Sequence, residues 1–128
     1  MKHAVMLLIQ DREGRFLFVK RQKSRPAGGY WCPVSGKVEP GETQAQTVVR
    51  EALEEVGLTV VPVAKLGEMP CSTGEYLLSW WQTRVVGGTA MVLATDEIEA
   101  LRWVAADDFA TLNPAFQEDL DFIRRSSG

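Results

Sequence analysis

The sequence is poor in the residues that build soft-metal sites and covalent staples. It has one histidine, His3, and two cysteines, Cys32 and Cys71, with no metal-type spacing. Two buried or half-buried thiols in a reducing cytosol is the expected state, with a disulfide between them the lesser alternative. There is no excess of positive charge: the formal net charge is −3. That argues against broad sequence-independent binding to nucleic acid polymers or anionic membranes, both of which want a basic surface. No apolar run approaches the roughly 20 residues needed to span a bilayer. The first such run, Ala4 to Ile9, is too short for most signal sequences, and Asp11, Arg12 and Glu13 follow it. It reads as a first strand, and the expected location is cytoplasmic. Repeats, low-complexity segments and interdomain linkers are also missing.

What is there suits one compact domain over residues 1–128, with 45% apolar and 24% charged residues. A chain of this size buries about two-thirds of its unfolded surface. Ala4–Ile9 and Phe16–Val19, joined by residues 11–14, suggest a β-hairpin. Residues 20–30 are basic and then glycine-rich, which predicts a surface loop. Trp31 to Val34 reads as a short strand. Leu58–Val63, Tyr76–Val86, Thr89–Ala94 and Glu99–Val104 read as further strands, with Gly87-Gly88 as a turn. Asn113 is expected to cap a final helix with Pro114 at its first position. Phe116, Leu120 and Ile123 then give that helix a core-facing stripe. The order, β-rich then helix, twice over, predicts an α+β or α/β/α arrangement around a mixed sheet.

The strongest helix signal runs from Thr43 to Val56. Thr43 with Gln46 makes a capping box, and Gly57 sits where a left-handed C-cap residue is wanted. At 100° per residue, Ala45, Val48, Val49, Ala52, Leu53 and Val56 gather on one side. Glu51, Glu54 and Glu55 fall on the other, at i, i+3 and i+4. One account is a solvated face. It expects cationic partners one turn on, but the i+4 positions are Glu55, Leu58 and Thr59. Arg50 precedes Glu54 in the weaker order, and negative charge near a helix C-terminus opposes the macrodipole. The other account is a divalent cation site. Mg²⁺ and Mn²⁺ want oxygen ligands, and a cation converts the mutual repulsion into attraction. The lead-in from Gly36 to Glu42 is glycine- and proline-containing, so its backbone can approach a ligand closely and a carbonyl can add an oxygen. Lys37 and Arg50 can meet phosphate oxygens or orient carboxylates.

Residues 36–58, GKVEPGETQAQTVVREALEEVGL, resemble the Nudix box in full: Gly36, Glu42, Arg50-Glu51, Glu54-Glu55, Gly57 and the apolar Leu58 stand at its spacing. The flanks are similar too, with Trp31 to Val34 ahead and Trp103-Val104 behind. Pro33-Val34-Ser35-Gly36 and Ala52 depart from the family's commonest pattern without touching a charged position. The resemblance implies an α/β/α sandwich with a mixed sheet, and a loop–helix–loop that binds Mg²⁺ or Mn²⁺. It implies MutT-like hydrolysis of a nucleoside diphosphate linked to a group X. By the same resemblance, Glu51, Glu54 and Glu55 are the metal ligands with the carbonyl of Gly36. Arg50 orients the acidic cluster, and Glu42 and Gly57 support the box.

A general base should stand near the attacking water. Glu97 and Glu99 lie in the later region ahead of Trp103, and spacing favours Glu99. Nucleoside stacking needs an aromatic ring. Trp31, Trp80, Trp81, Tyr76 and Phe116 are the candidates, and strand alternation puts Trp80 and Trp81 on opposite faces. Asn113 can read a base edge or simply cap its helix. Arg21, Lys23 and Arg25 can steer a polyanion or form a solvated loop. The expected substrate is a small nucleotide, a (d)NTP or modified (d)NTP before ADP-ribose, a dinucleoside polyphosphate or a pterin triphosphate. The chain is expected as a monomer or homodimer. A non-catalytic nucleotide sensor is disfavoured because every acidic box position is kept, and an isoprenoid diphosphate isomerase because the chain is short.

Overall fold

A computed structural model describes residues 1–127. Seven strands form one mixed sheet: β1 (Lys2–Gln10), β2 (Phe16–Arg21), β3 (Trp31–Cys32), β4 (Val34–Lys37), β5 (Leu58–Pro70), β6 (Tyr76–Gly88) and β7 (Ile98–Val104). The main path runs β3-β2-β1-β6-β5, with β4 also on β1 and β7 on β2. The β1–β6 pair is parallel, with Lys2 beside Tyr76 and Met6 beside Trp80, and the other strand pairs are antiparallel.

Alternation of side chains along each strand gives the sheet two apolar faces. Val5, Leu7 and Ile9 of β1 pack with Val34 and Val48, Ala52 and Val56 of helix α1 (Gln44–Val56). Met6 and Leu8 pack on the other side with Phe18, Trp80, Phe109 of a 3-10 helix (Ala106–Thr111), and Leu120 and Ile123 of α2 (Gln117–Ser127). The result is the α/β/α sandwich expected. Among the described residues, no helix is long and apolar enough to cross a membrane.

Four local expectations are corrected. Residues 89–94 form no strand. The last carbonyls of a helix lack intrahelical partners, and this segment supplies them: the N–H groups of Met91 and Leu93 donate to the carbonyls of Val56 and Glu55 at 3.0 and 2.9 Å. Gly87-Gly88 is no turn but the end of β6, paired with Thr59 and Leu58. Asn113 does not cap α2. Its peptide to Pro114 is cis, and helical N–H bonds begin on the Phe116 carbonyl, three residues later. Finally, Val49 and Leu53 are 39% and 55% exposed. The helix turns its inner face toward the row of Thr47, Val48, Ala52, Glu55 and Val56, all buried. Cys32 is buried and Cys71 half-buried, both as free thiols.

Candidate functional site

The capping box forms as the sequence predicts. Thr43 Oγ1 accepts from the Gln46 N–H at 3.1 Å, and Gln46 Oε1 accepts from the Thr43 N–H at 2.9 Å. Gly57 closes the helix at φ 70°, a left-handed conformation that glycine adopts at no steric cost. The lead-in loop is fastened to this helix by one side chain. Arg50 donates from Nε and Nη2 to the two oxygens of Glu42 at 2.8 and 2.9 Å. Its Nη2 also reaches the carbonyl of Lys37 at 3.1 Å, and its Nη1 the carboxylate of Glu51 at 2.7 Å. The contact to Glu54, in the less favourable order, is the longest of its carboxylate bonds at 3.2 Å. Thr47 Oγ1 adds a 2.7 Å bond to Glu42. Arg50 first and Thr47 second hold the Glu42 carboxyl down at about 2. The acidic helix therefore has a basic partner in Arg50, which reaches backward to Glu42 as well as forward to Glu51 and Glu54.

The three glutamates do not share one solvated face. Glu54 has a 60% exposed side chain, Glu51 only 12%. Glu55 is 5% exposed, lying at i+7 from Val48 and i+3 from Ala52 on the inner rows. Burial pushes the Glu55 carboxyl far above the usual carboxylate range, and the neighbouring Glu51 and Glu97 charges add to the shift. Its Oε2 is buried without a hydrogen-bond partner. Gly36, on β4, explains how these carboxylates fit: a Cβ there would overlap the Glu51 side chain. Among the described residues, no three His, Cys, Asp or Glu side chains stand as a ready-made metal cage. Arg50 holds the Glu51 carboxylate, and Glu55 is held by burial.

A cavity of about 530 Å³ opens beside them, lined by Gly36, Glu51, Glu55, Arg21, Lys37 and Glu97, among others. Glu97 has its carboxylate 3.6 Å from Arg25, which also lines the cavity. Glu99, the residue favoured by spacing, is elsewhere. It follows the buried Ile98 on β7, so alternation sends it to the opposite face, where it pairs with Lys20 at 3.3 Å. Trp31 and Trp81 do not line the cavity. Trp31 faces Arg102, and Trp81 lies on the α1 side, where its Nε1 donates to Gln44 at 2.9 Å. Trp80 is fully buried. Asn113 is exposed and outside the cavity.

Sequence reasoning missed Asp119. It lines an adjoining space of about 280 Å³ with Phe116, Met69 and Leu78. Burial, then the charge of Glu118, pushes its carboxyl up to about 6. Its only sequence signal was an acid in the first turn of a helix, which reads as ordinary dipole compensation.

A loop–helix carrying the Glu42–Arg50 clamp, set against a mixed sheet with helices on both faces, defines a NUDIX domain. The NUDIX domain family model matches residues 1–125, and the chain belongs to that family. It is 33% identical over 110 residues to the CTP pyrophosphohydrolase of Escherichia coli strain K12, spanning 81% of this chain and 76% of that one. It is 30% identical over 112 residues to the NAD-capped RNA hydrolase NudC of Stutzerimonas stutzeri, covering 88% of this chain but only 39% of that relative. The crystal structure of a MutT protein from Methanosarcina mazei Go1 superposes with a TM-score of 0.82 at 26% identity, covering 98% and 92% of the two chains.

Proposed function

We propose that the protein is a divalent-metal-dependent pyrophosphohydrolase that cleaves the diphosphate of a nucleoside diphosphate derivative, a (d)NTP or modified (d)NTP first among them. The observation that carries this reading is the oxygen-rich wall of one cavity: Glu51, Glu55 and Glu97 beside Gly36, with Lys37 and Arg21 as cations. Its support from relatives is the likeness to a protein named CTP pyrophosphohydrolase over most of both chains.

The residues fit a hard cation. The donors are carboxylate and carbonyl oxygens, which Mg²⁺ and Mn²⁺ prefer. Glu55 brings a buried oxygen with no partner of its own, and Gly36 leaves room for Glu51 where any side chain would not. Glu51, Glu54, Glu55 and the Gly36 carbonyl would hold the ion. When bound, it supplies charge neutralisation on the phosphates and a more acidic water.

The chain's own residues do the rest. Arg50 keeps the loop and the helix carboxylates in register through Glu42. Lys37 and Arg21 bind phosphate oxygens. Glu97 takes the proton of the attacking water, as a carboxylate on the cavity wall beside Arg25 can. The water oxygen bonds to phosphorus, and the bridging P–O bond breaks. The bridging oxygen and its electron pair leave with the second phosphate. The products are a nucleoside monophosphate and the phosphorylated group X. The nucleoside lies in the adjoining space against Phe116 and Leu78, where the Asp119 carboxyl reads a ring edge.

Incubation with Mg²⁺ and about thirty nucleotide diphosphate derivatives tests the reading, with phosphate and pyrophosphate read separately. Nucleoside monophosphate should form, with pyrophosphate marking triphosphate substrates. Turnover should fall by orders of magnitude in Glu54→Gln and Glu55→Gln. Unchanged turnover in both variants rejects the mechanism.

A further inference from the structure

A proton acceptor needs a fixed place, yet Glu97 stands in the turn before β7 rather than on a strand. Bonds from two sides hold that turn. One set comes from the end of α1. The Glu55 carbonyl accepts from the Leu93 N–H at 2.9 Å, and the Ala94 carbonyl accepts from the Glu97 and Ile98 N–H groups at 2.9 Å each. This chain of bonds ties Glu97 to the backbone of the buried glutamate.

The other set comes from Gln22, just past β2. The β2–β7 ladder slips after Lys20, so Lys20 pairs with Ala100, Arg21 pairs with Ile98, and Glu99 is passed over. Beyond the slip the Gln22 N–H donates to the Glu97 carbonyl at 2.9 Å, and the Gln22 carbonyl accepts from the Arg25 N–H at 3.0 Å. Arg25 is also the residue whose guanidinium meets the Glu97 carboxylate at 3.6 Å. Both members of that ion pair are therefore anchored to the backbone of Gln22.

The Gln22 side chain adds what a backbone bond does not. Its Nε2 donates to the Thr95 carbonyl at 3.0 Å and, at a longer 3.4 Å, to the Ile98 carbonyl. These carbonyls stand on either side of Glu97. Only the NH₂ end of an amide can face two acceptors, because it carries two donors. The fork spans the turn and sets the direction in which the Glu97 side chain leaves it. The Thr95 bond lies at the surface, where water can satisfy the carbonyl, so folding does not depend on it.

We propose that Gln22 is a positioning residue that acts through Glu97, its side-chain amide aiming the Glu97 carboxylate into the cavity beside Arg25. The inference rests on the reading of Glu97 as the proton acceptor of a diphosphate hydrolase.

Gln22→Met keeps the length of the side chain and removes both donors. With Mg²⁺ and CTP, or the fastest substrate of the nucleotide panel where that differs, kcat should fall about tenfold with KM within about twofold, since aim is disturbed and binding is not. In a chain already carrying Glu97→Gln, the same change should cost less than about twofold, because residues that act as a unit are not additive. Amide exchange reads the turn without turnover. The Glu97 and Ile98 N–H groups should exchange severalfold faster in Gln22→Met, with the core strands unchanged. Equal losses in the two backgrounds make Gln22 merely structural and overturn the proposal. An unmoved kcat or unmoved exchange in Gln22→Met overturns it too. Full turnover in Glu97→Gln, or none from the unmodified chain across the panel, rejects the reading on which the proposal rests.

Discussion

Arg50 and Glu42, eight positions apart and on different sides of a helix start, meet through two hydrogen bonds of 2.8 and 2.9 Å. The fork-to-carboxylate geometry makes this one of the stronger polar contacts available to a protein. It fixes where the lead-in loop lies, and therefore where the Lys37 carbonyl and Gly36 stand relative to the helix. Removing Arg50 leaves Glu42, Glu51 and Glu54 without their shared cation. Arg50→Met should therefore lower both the melting temperature and kcat. Arg50→Lys should restore little of either, because an ammonium cannot bond both oxygens of Glu42 and reach Glu51.

The same clamp sets an acid limit. Glu42 titrates near 2 in the fold, below its ordinary 4.5. A carboxyl with a lowered folded pKa contributes stability above its unfolded pKa and loses it as pH falls through the folded one. Melts of the unmodified chain and of Glu42→Gln should differ at pH 7. The gap should narrow between about pH 4.5 and pH 2. A gap that stays constant across that window would assign the effect to packing.

Glu55 works in the opposite direction. Its folded pKa is raised, so its favourable protonated state is fully present below the unfolded value and is lost as pH rises. Without divalent ions, Glu55→Gln should melt higher than the unmodified chain at pH 8 and close to it at pH 4. Saturating Mg²⁺ should reverse the order. At a hundredfold excess over Kd, a bound ion adds about 2.7 kcal/mol to the unmodified chain, a rise on the order of 10 °C for a domain of this size. A melt insensitive to Mg²⁺ and Mn²⁺ counts against the metal assignment.

Glu97 and Glu99 are two residues apart, yet only Glu97 lines the cavity. Glu97→Gln should reduce kcat about a hundredfold, the ordinary contribution of a proton acceptor. Glu99→Gln should lose only its half-buried pair with Lys20, away from the cavity, and stay within about twofold in activity. Equal losses in the two variants would reject this division.

Asp119 should reveal itself in KM. Its carboxyl titrates at about 6, so it can donate a hydrogen bond below that pH and only accept above it. Asp119→Ala should raise KM about tenfold with kcat nearly unchanged, the cost of an unpaired ring edge. In the unmodified chain KM should shift through pH 6, and in Asp119→Asn it should not.

The sequence alone determined the elements whose causes are local. Thr43, Gln46 and Gly57 specify the ends of α1 within a few bonds of themselves, and the alternation of β1 specifies a strand with two buried faces. The glutamate cluster and its glycine-containing lead-in were legible for the same reason, since helical spacing is a property of the chain itself. Tertiary structure decided whatever depended on a neighbour distant in sequence. Glu51 packs against β4 because that strand has a glycine at position 36. Residues 89–94 are not a strand because the carbonyls of Val56 and Glu55 take their N–H groups. Glu97 rather than Glu99 lines the cavity because it lies in the turn just before β7, while Glu99 lies on β7, whose pairing with β2 turns it toward Lys20. Asp119 reaches its cavity only because α2 packs across the sheet. Each of these outcomes rests on contacts between segments tens of residues apart, which a reading of local pattern does not contain.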